Sequence, residues 1–139
     1  ISLNVVSPAS AQMNPDQMEF IRHSIDVYKN FIRDFLPDSK IYHHTPETAK
    51  TLENGYSVLE ISSSDGKKGA IAAFLMTGAK NDRLNIVPKG INQGMKYKIT
   101  LDNSGASFVA NGYEIVSNGI NIYIKSSLSS ELILYEITE

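Results

Sequence analysis

The chain contains no cysteine and no tryptophan, and these absences restrict what it can do. Without cysteine it has no disulfides, no thiolate metal ligands and no cysteine nucleophile. No apolar run approaches the roughly 20 residues that a membrane-spanning helix needs. The formal net charge of −2 gives no broad positive surface for phosphates. Neither nucleic acid nor a membrane is therefore an expected partner.

The composition is that of one ordinary globular domain. The chain has 139 residues, of which 42% are hydrophobic and 20% charged, and a chain of this size can bury a sizeable core. Its N-terminus has no basic segment followed by an apolar one. The sequence therefore assigns no compartment, and cytoplasm, periplasm and cell exterior all stay open.

The first six residues, ISLNVV, alternate apolar and polar side chains as a strand does, with nothing before them to pair with. We interpret this start as a cut within a longer chain rather than the natural start of a protein. A natural start after removal of a leader is the alternative.

A well-marked helix start follows. Asn14 can cap the helix, Pro15 suits its first position, and Gln17 lies at the capping-box distance. Apolar residues then recur at steps of three and four, which predicts an amphipathic helix ending at Leu36, before Pro37. The centre of its apolar stripe is formed by Ile21, Ile25, Tyr28 and Ile32. The stripe is too broad to lie on water, so we expect either the β-domain that follows or a domain upstream to cover it.

From Lys40 onward the apolar period changes to two, and short segments rich in Ile, Val, Tyr and Phe alternate with turn signals. Asp65-Gly66, Asn111-Gly112 and Asn118-Gly119 are hairpin dipeptides, and Asn103 to Gly105 offers a longer turn. These signals predict a mainly β fold, an antiparallel β-sandwich of about eight strands preceded by one amphipathic helix. The segments concerned are IYHH, GYSVLEIS, KGAIAAFLM, DRLNIVP, MKYKITLD, ASFVA, YEIVS, INIYIKS and SELILYEI.

The adjacent histidines His43 and His44 are the most conspicuous candidates for chemistry. On an extended segment they point to opposite faces, so they cannot easily share a metal, and the third histidine, His23, lies on the helix. Zinc needs three or four ligands. We therefore expect a structural pair, with one imidazole towards the core or a domain joint and the other towards solvent or the turn at Thr45-Pro46.

The carboxylates and serines offer no catalytic constellation either. Glu60, Glu131 and Glu136 alternate with apolar residues, and Asp102 lies at a turn, so we expect them on solvated surfaces. The serines at 62–64 and 126–130 lack a glycine-flanked elbow and are interpreted as turn or edge residues. We assign no catalytic, cofactor-binding or metal-binding residue.

The tyrosines allow a second interpretation, because sugar rings stack on aromatic faces. Four of them alternate with apolar residues, which favours core or sheet packing over a carbohydrate platform. They are Tyr97, Tyr113, Tyr123 and Tyr135.

Several segments together resemble a known family. NPDQMEFIRHSIDVYKNFIRDFLPDSKIYHHTPE is similar to the last barrel helix and its exit in α-galactosidases of glycoside hydrolase family 36, or melibiase type. Tyr28-Lys29 matches the Tyr-Lys pair of that helix, and Tyr42 matches the tyrosine of the next strand. GYSVLEISSSDGKKGAIAAFLM, GINQGMKYKITLDNSG and NGYEIVSNGINIYIKSSLSSELILYEI resemble the strands of the family's C-terminal sandwich. The resemblance covers nearly everything from Asn14 to Glu139.

The resemblance implies that residues 1–38 are the end of a catalytic barrel with its last helix. Residues 39–139 would be the C-terminal antiparallel sandwich domain. In that family two barrel aspartates hydrolyse α-galactosides with retention, and they lie on earlier barrel strands that have no counterpart here. The fragment alone is therefore expected not to be an enzyme, whereas its parent would be a retaining glycoside hydrolase.

The expected function is that of an accessory domain in carbohydrate degradation. Its partner would be the catalytic barrel of the same parent chain, which the helix stripe would face. A weak carbohydrate contact and a homodimer through exposed apolar surface are further predictions. Two alternatives stay open: a carbohydrate-binding module, and a free-standing protein-interaction β-sandwich.

Overall fold

The computed structural model describes residues 13–45, 55–79, 81–126 and 128–138. It contains a helical segment at the N-terminus followed by eight strands in antiparallel sheets, which confirms the predicted mainly β class. The strand predicted at ISLNVV lies outside the described residues. The chain consists of two compact units, Ile1–Asp34 and Phe35–Glu139. In the part that the structure describes, no helix is long and apolar enough to cross a membrane.

Helix α1, Pro15–Val27, begins as the sequence predicts. The Gln17 amide donates to Asn14 Oδ1 at 2.8 Å, and the Asn14 amide donates to Gln17 Oε1 at 3.1 Å. This reciprocal pair satisfies two of the amide groups that a helix start leaves without intrahelical partners.

A π-helical turn, Tyr28–Ile32, follows α1 directly. The Arg33 amide donates to the Tyr28 carbonyl, five residues back, instead of the usual four. One short α-helical turn, Arg33–Phe35, and a 3-10 turn, Leu36–Asp38, complete the segment. The α-helix therefore ends one residue before the predicted Leu36, because Pro37 restricts the residue that precedes it.

The predicted stripe is exposed unevenly along the helical unit. Ile21 and Ile25 are partly buried, Tyr28 is 37% exposed, and Ile32 is only 7% exposed. Which surface the stripe faces in a larger protein stays a prediction.

In its described residues, the β unit has one sheet of six strands and one of two, and every pairing is antiparallel. The strand order in the large sheet is β1-β2-β3-β8-β5-β6, and β4 pairs with β7 in the small one. The strands are β1 Ser39–His43, β2 Tyr56–Ser63, β3 Lys68–Leu75, β4 Arg83–Ile86, β5 Lys96–Leu101, β6 Ala106–Asn111, β7 Ile120–Tyr123 and β8 Ser129–Ile137.

Both sheets contribute to a single apolar core. Ile71, Ile99 and Ile133 come from three strands of the large sheet and are fully buried, while Ile120 and Ile122 come from β7 of the small one. These β-branched residues fit a pleated surface, and the period-two pattern brings them to one face of each strand.

One predicted strand is wrong. The segment YEIVS lies in helix α2, Gly112–Asn118, and not in a strand. The Asn111 amide donates to Glu114 Oε2 at 3.0 Å, as in a capping box. Gly119 ends the helix with φ 71°, a value that favours glycine. The two dipeptides predicted as hairpin turns therefore begin and end a helix.

The other two turn predictions are confirmed. Gly66 lies between β2 and β3 with φ 72°, and Gly105 lies between β5 and β6 with φ 73°. Glycine adopts this left-handed conformation without steric cost.

Candidate functional site

A buried glutamate lies in the middle of strand β2. Val58, Glu60 and Ser62 alternate along the strand onto the core face of the large sheet. Glu60 and Ser62 are both 0% exposed. The prediction of a solvated surface for Glu60 is therefore wrong, as is the turn or edge position predicted for Ser62.

Four donors surround the Glu60 carboxylate. Oε2 accepts hydrogen bonds from His44 Nε2 at 2.7 Å and from the Lys89 amide at 2.8 Å. Oε1 accepts from the Gly90 amide at 2.8 Å and from the Tyr135 hydroxyl at 2.9 Å. One side chain thus joins the end of β1, strand β8 and the connection between β4 and β5.

These contacts decide the charge state of Glu60. Burial by itself raises the pKa of the carboxyl, whereas the hydrogen bonds from His44, Lys89, Gly90 and Tyr135 lower it. The hydrogen bonds prevail, and the pKa of Glu60 lies below its ordinary value. Burial and the nearby charge of Glu60 raise the pKa of Tyr135, so its phenol stays a neutral donor.

The tyrosine that binds Glu60 is itself held by close packing. The rings of Tyr135 and Tyr97 meet edge to face, with centroids 5.9 Å apart and planes at 82°. A Cβ at Gly90 would come within 2.6 Å of the Tyr135 hydroxyl and still closer to Ser62, so only glycine fits there without displacement. The Lys89-Gly90 backbone can therefore approach the carboxylate closely.

The two adjacent histidines play different roles. His43 is exposed, and its carbonyl accepts a hydrogen bond from Lys89 Nζ at 2.9 Å. The His44 side chain is only 13% exposed and bonds to Glu60. The expected division between one inward and one outward imidazole is thus observed. Among the described residues, no three His, Asp or Glu side chains lie close enough together to hold a metal ion.

A second carboxylate, Glu131 on β8, is also buried at 4% exposure, contrary to the predicted solvated position. Its Oε1 accepts from the Asn103 amide at 2.8 Å and from the Leu132 amide at 3.1 Å. Glu136 on the same strand is 38% exposed, with Lys68 Nζ 3.9 Å away. The predicted solvated position is therefore wrong for Glu131 and confirmed for Glu136.

The two buried carboxylates do not have the geometry of a glycosidase pair. Glu60 pairs in register with Ile71, and Glu131 pairs with Ala73, so strand β3 and two positions of offset separate them. Two strand spacings amount to about 10 Å, whereas a retaining pair is about 5 Å apart. Each carboxylate is also occupied by backbone donors. Their chemistry is that of structural acceptors that hold loops onto the sheet.

A groove of about 750 Å³ lies beside the glutamate cluster. His44 and Lys89 contribute to its wall, and residues of strand β4 and of the segment that follows it form much of the rest. Side chains that can donate hydrogen bonds alternate there with apolar ones, a mixture suited to polar organic molecules. The lining includes His44, Tyr56, Arg83, Asn85, Val87 and Lys89.

The four tyrosines divide into two pairs, so the expectation that all would pack in the core or sheet holds only in part. Tyr97 and Tyr135 are fully buried, whereas Tyr113 is 65% and Tyr123 is 53% exposed. Arg83 lies over the Tyr123 ring, with its guanidinium carbon 6.0 Å from the centroid. The exposed pair could not be told from the buried pair by sequence alternation.

The fold and this buried cluster characterise the chain as a mainly antiparallel β-domain with a helical N-terminal segment. No protein-family model and no curated protein matches the chain. Solved structures do. The GH36 alpha-galactosidase AgaA from Geobacillus stearothermophilus, in complex with raffinose, matches with a TM-score of 0.72 at 18% identity. This match covers 92% of this chain and 17% of that one.

Two further structures agree. The alpha-galactosidase from Lactobacillus brevis matches with a TM-score of 0.70 at 14% identity, covering 94% of this chain and 18% of that one. The galactosidase domain of the alpha-galactosidase-sucrose kinase AgaSK matches with a TM-score of 0.71 at 11% identity, covering 93% and 17%. The resemblance predicted from sequence is thereby confirmed as a shared fold. The chain spans less than a fifth of the length of these enzymes.

Proposed function

We propose that this chain is the C-terminal accessory domain of an α-galactosidase-like glycoside hydrolase, and that it supports the catalytic barrel of the same protein. The observation that carries the proposal is the unequal coverage of the structural matches: 92% of this chain corresponds to only 17% of a GH36 alpha-galactosidase. A chain whose fold matches only a small part of a larger enzyme fits a supporting part of such an enzyme.

The outer face of the large sheet offers a surface for such support. Ile41, Ile61, Ala70 and Leu134 follow one another in register across four strands, on the face opposite Glu60. Ala70 and Leu134 are already buried, at 4% and 8% exposure, so the accessible part of the row is its β1 end, where Ile41 remains 60% exposed. An apolar row with an exposed end is the kind of surface that packs against another domain.

The helical unit offers a second apolar surface. Phe20 is 64% exposed and Met18 is 39% exposed, next to the predicted stripe of Ile21, Ile25, Tyr28 and Ile32. In the proposed role this stripe contacts the catalytic barrel, which would keep barrel loops ordered.

The glutamate cluster gives the proposed support its stiffness. Glu60 bonds to three separate parts of the β unit, and a loop tied to the sheet by charge-assisted hydrogen bonds has little freedom to shift. In the proposed role, a rigid β unit would support the catalytic domain better than a flexible one.

The decisive experiment is an immunoblot of source cells with an antibody raised against this chain. A band several times larger than 15.3 kDa is the expected result. That larger protein is then purified and assayed on α-galactosides, with and without the segment from Lys40 to Glu139. Loss of the segment should lower its melting temperature and its activity together. A band at the size of the fragment alone would contradict the proposal and favour a free-standing interaction domain.

A second candidate function, a carbohydrate-binding module, is favoured by one observation. The exposed Tyr123 lies next to Arg83, which also lines the 750 Å³ groove, so an aromatic face and hydrogen-bond donors occur together. Raffinose, the ligand in the AgaA structure, would be titrated into the labelled chain and followed by amide chemical shifts. Saturable shifts that vanish in Tyr123→Ala but persist in Tyr113→Ala would support this function. If the amide chemical shifts do not change on addition of raffinose, the supporting role remains the better-supported function.

A further inference from the structure

The large sheet ends in two very different edge strands, β1 and β6. Strand β1 carries Lys40 and His43, and a charged side chain on an edge discourages pairing with another strand. Strand β6, with the sequence ASFVAN, has no ionisable side chain. Its first four residues are all exposed, so the edge itself is accessible.

The register shows which backbone groups of β6 point outward. The Gly112 amide donates to the Met95 carbonyl at 2.7 Å, just beyond the end of the β5-β6 ladder. Because inward and outward groups alternate along an antiparallel strand, the even-numbered residues of β6 bond to β5. The amide and carbonyl groups of Ser107 and Val109 therefore face away from the sheet. The next outward amide, that of Asn111, is already bound by Glu114.

The side chains on this edge are apolar on both faces of the sheet. Phe108 is 43% exposed on the core side, and Val109 is 52% exposed on the outer side. A strand that pairs with β6 would thus gain backbone hydrogen bonds and cover an apolar side chain on each face.

We propose that β6 is a homodimerisation edge, which pairs with β6 of a second copy in antiparallel orientation around a twofold axis. An antiparallel ladder is self-complementary under such an axis, since each copy offers the same outward donors and acceptors. Because β6 is uncharged, pairing it with β6 of a second copy brings no like charges together. The paired sheet would have twelve strands, with the two Glu60 clusters far from the joint.

The size of the edge sets the strength of the dimer. A strand of six residues buries much less than the roughly 1,200 Å² of a standard stable interface. The dimer therefore forms reversibly as the concentration of the chain rises. This inference concerns the chain itself and does not depend on the proposed supporting role.

Sedimentation velocity of the chain from micromolar to millimolar concentration tests the proposal. The key variant is Val109→Pro, which removes an outward amide while leaving the hydrogen bonds to β5 in place. The matched control is Ile41→Pro on β1. The His44 amide donates to the Val58 carbonyl, so the same alternation places the Ile41 amide on the outer side of that edge.

The expected result is a concentration-dependent dimer whose dissociation constant rises about tenfold or more in Val109→Pro and is unchanged in Ile41→Pro. Val109→Lys keeps the backbone amide but adds a charge to the edge, so it should also weaken the dimer. This second variant keeps the test valid if the proline variant misfolds. A wild-type chain that stays monomeric at millimolar concentration would overturn the proposal. Dimers that persist in both Val109 variants would overturn it too.

Discussion

His44 Nε2 lies 2.7 Å from Glu60 Oε2, and the two side chains differ sharply in exposure, at 13% and 0%. The contact connects a partly accessible imidazole just after β1 to a carboxylate inside the sheet. Removing one partner of such a contact leaves the other in a site that has little water to replace it. The contact is thus a sensitive test of how the β unit is held together.

The first prediction concerns the charge of Glu60. In Glu60→Gln a neutral amide replaces the carboxylate, and its NH₂ group must face either the Lys89 amide at the Oε2 position or the Gly90 amide at the Oε1 position, from neither of which it can accept a hydrogen bond. We expect the free energy of unfolding to fall by about 3 kcal/mol, measured by urea denaturation. Glu136→Gln, on a half-exposed glutamate, serves as control and should change it by less than about 0.5 kcal/mol. Equal effects of the two substitutions would contradict the structural role of Glu60.

The second prediction concerns acid. Because the pKa of folded Glu60 lies below its ordinary value of 4.5, the unfolded chain binds more protons between the two pKa values. The stability that Glu60 contributes is complete above pH 4.5 and is lost as the pH falls through the folded pKa. The free energy of unfolding of the wild type should therefore fall more steeply below pH 4.5 than that of Glu60→Gln.

Asp65 must be separated from this effect. Hydrogen bonds from Lys67, first from its side chain and then from its amide, lower the pKa of Asp65 to about 2. The sign is the same as for Glu60, so the comparison should be made in an Asp65→Asn background. Parallel pH profiles in that background would show that Glu60 is not the titrating group.

The third prediction tests whether the cluster acts as a unit. Tyr135→Phe removes the hydroxyl that donates to Glu60 Oε1 at 2.9 Å while keeping the buried ring. We expect a loss of about 1 to 2 kcal/mol in the free energy of unfolding. In the double variant with Glu60→Gln, the loss of unfolding free energy should be smaller than the sum of the losses in the two single variants. Strict additivity would mean that the two groups are energetically independent.

The fourth prediction concerns the close approach of the Lys89-Gly90 backbone. Gly90→Ala should destabilise the chain by about 1 to 3 kcal/mol, because the added methyl group meets Ser62 and the Tyr135 hydroxyl. Gly94→Ala is the control, since its methyl group would meet only Asn92 Oδ1 at an ordinary 3.5 Å. Thermal unfolding of both variants measures the difference, and similar midpoints would argue against a tightly packed loop.

The sequence predicts those elements whose signals are local and complete. Asn14 and Gln17 define the helix start because both partners of the capping box lie within one turn. The same signal was present at Asn111 and Glu114, but each asparagine-glycine dipeptide there is equally typical of a hairpin. The helix between them has seven residues, fewer than two full turns, which is too short for an apolar stripe to repeat. Spacing to Glu114 was the feature that could have identified it.

Glu60 was missed for a different reason. Strand β2 has apolar residues on both faces, Val58 on one and Leu59 and Ile61 on the other, so alternation does not show which face is the core. The partners that make burial tolerable, Lys89 and Tyr135, lie far along the chain. Only the three-dimensional fold brings them to the carboxylate.

The π-helical turn at Tyr28–Ile32 has a consequence for how this helix can change in evolution. Such a turn holds one residue more than the α-helical turn it replaces, and each residue of an α-helix adds a rotation of about 100°. Deleting one residue there would restore a regular helix while the faces on either side of it kept their alignment. A one-residue deletion between Ile25 and the π-helical turn would instead rotate Ile21 and Ile25 by about 100° away from the line of Ile32. The turn is thus the place where a change of length leaves the pattern of the stripe intact.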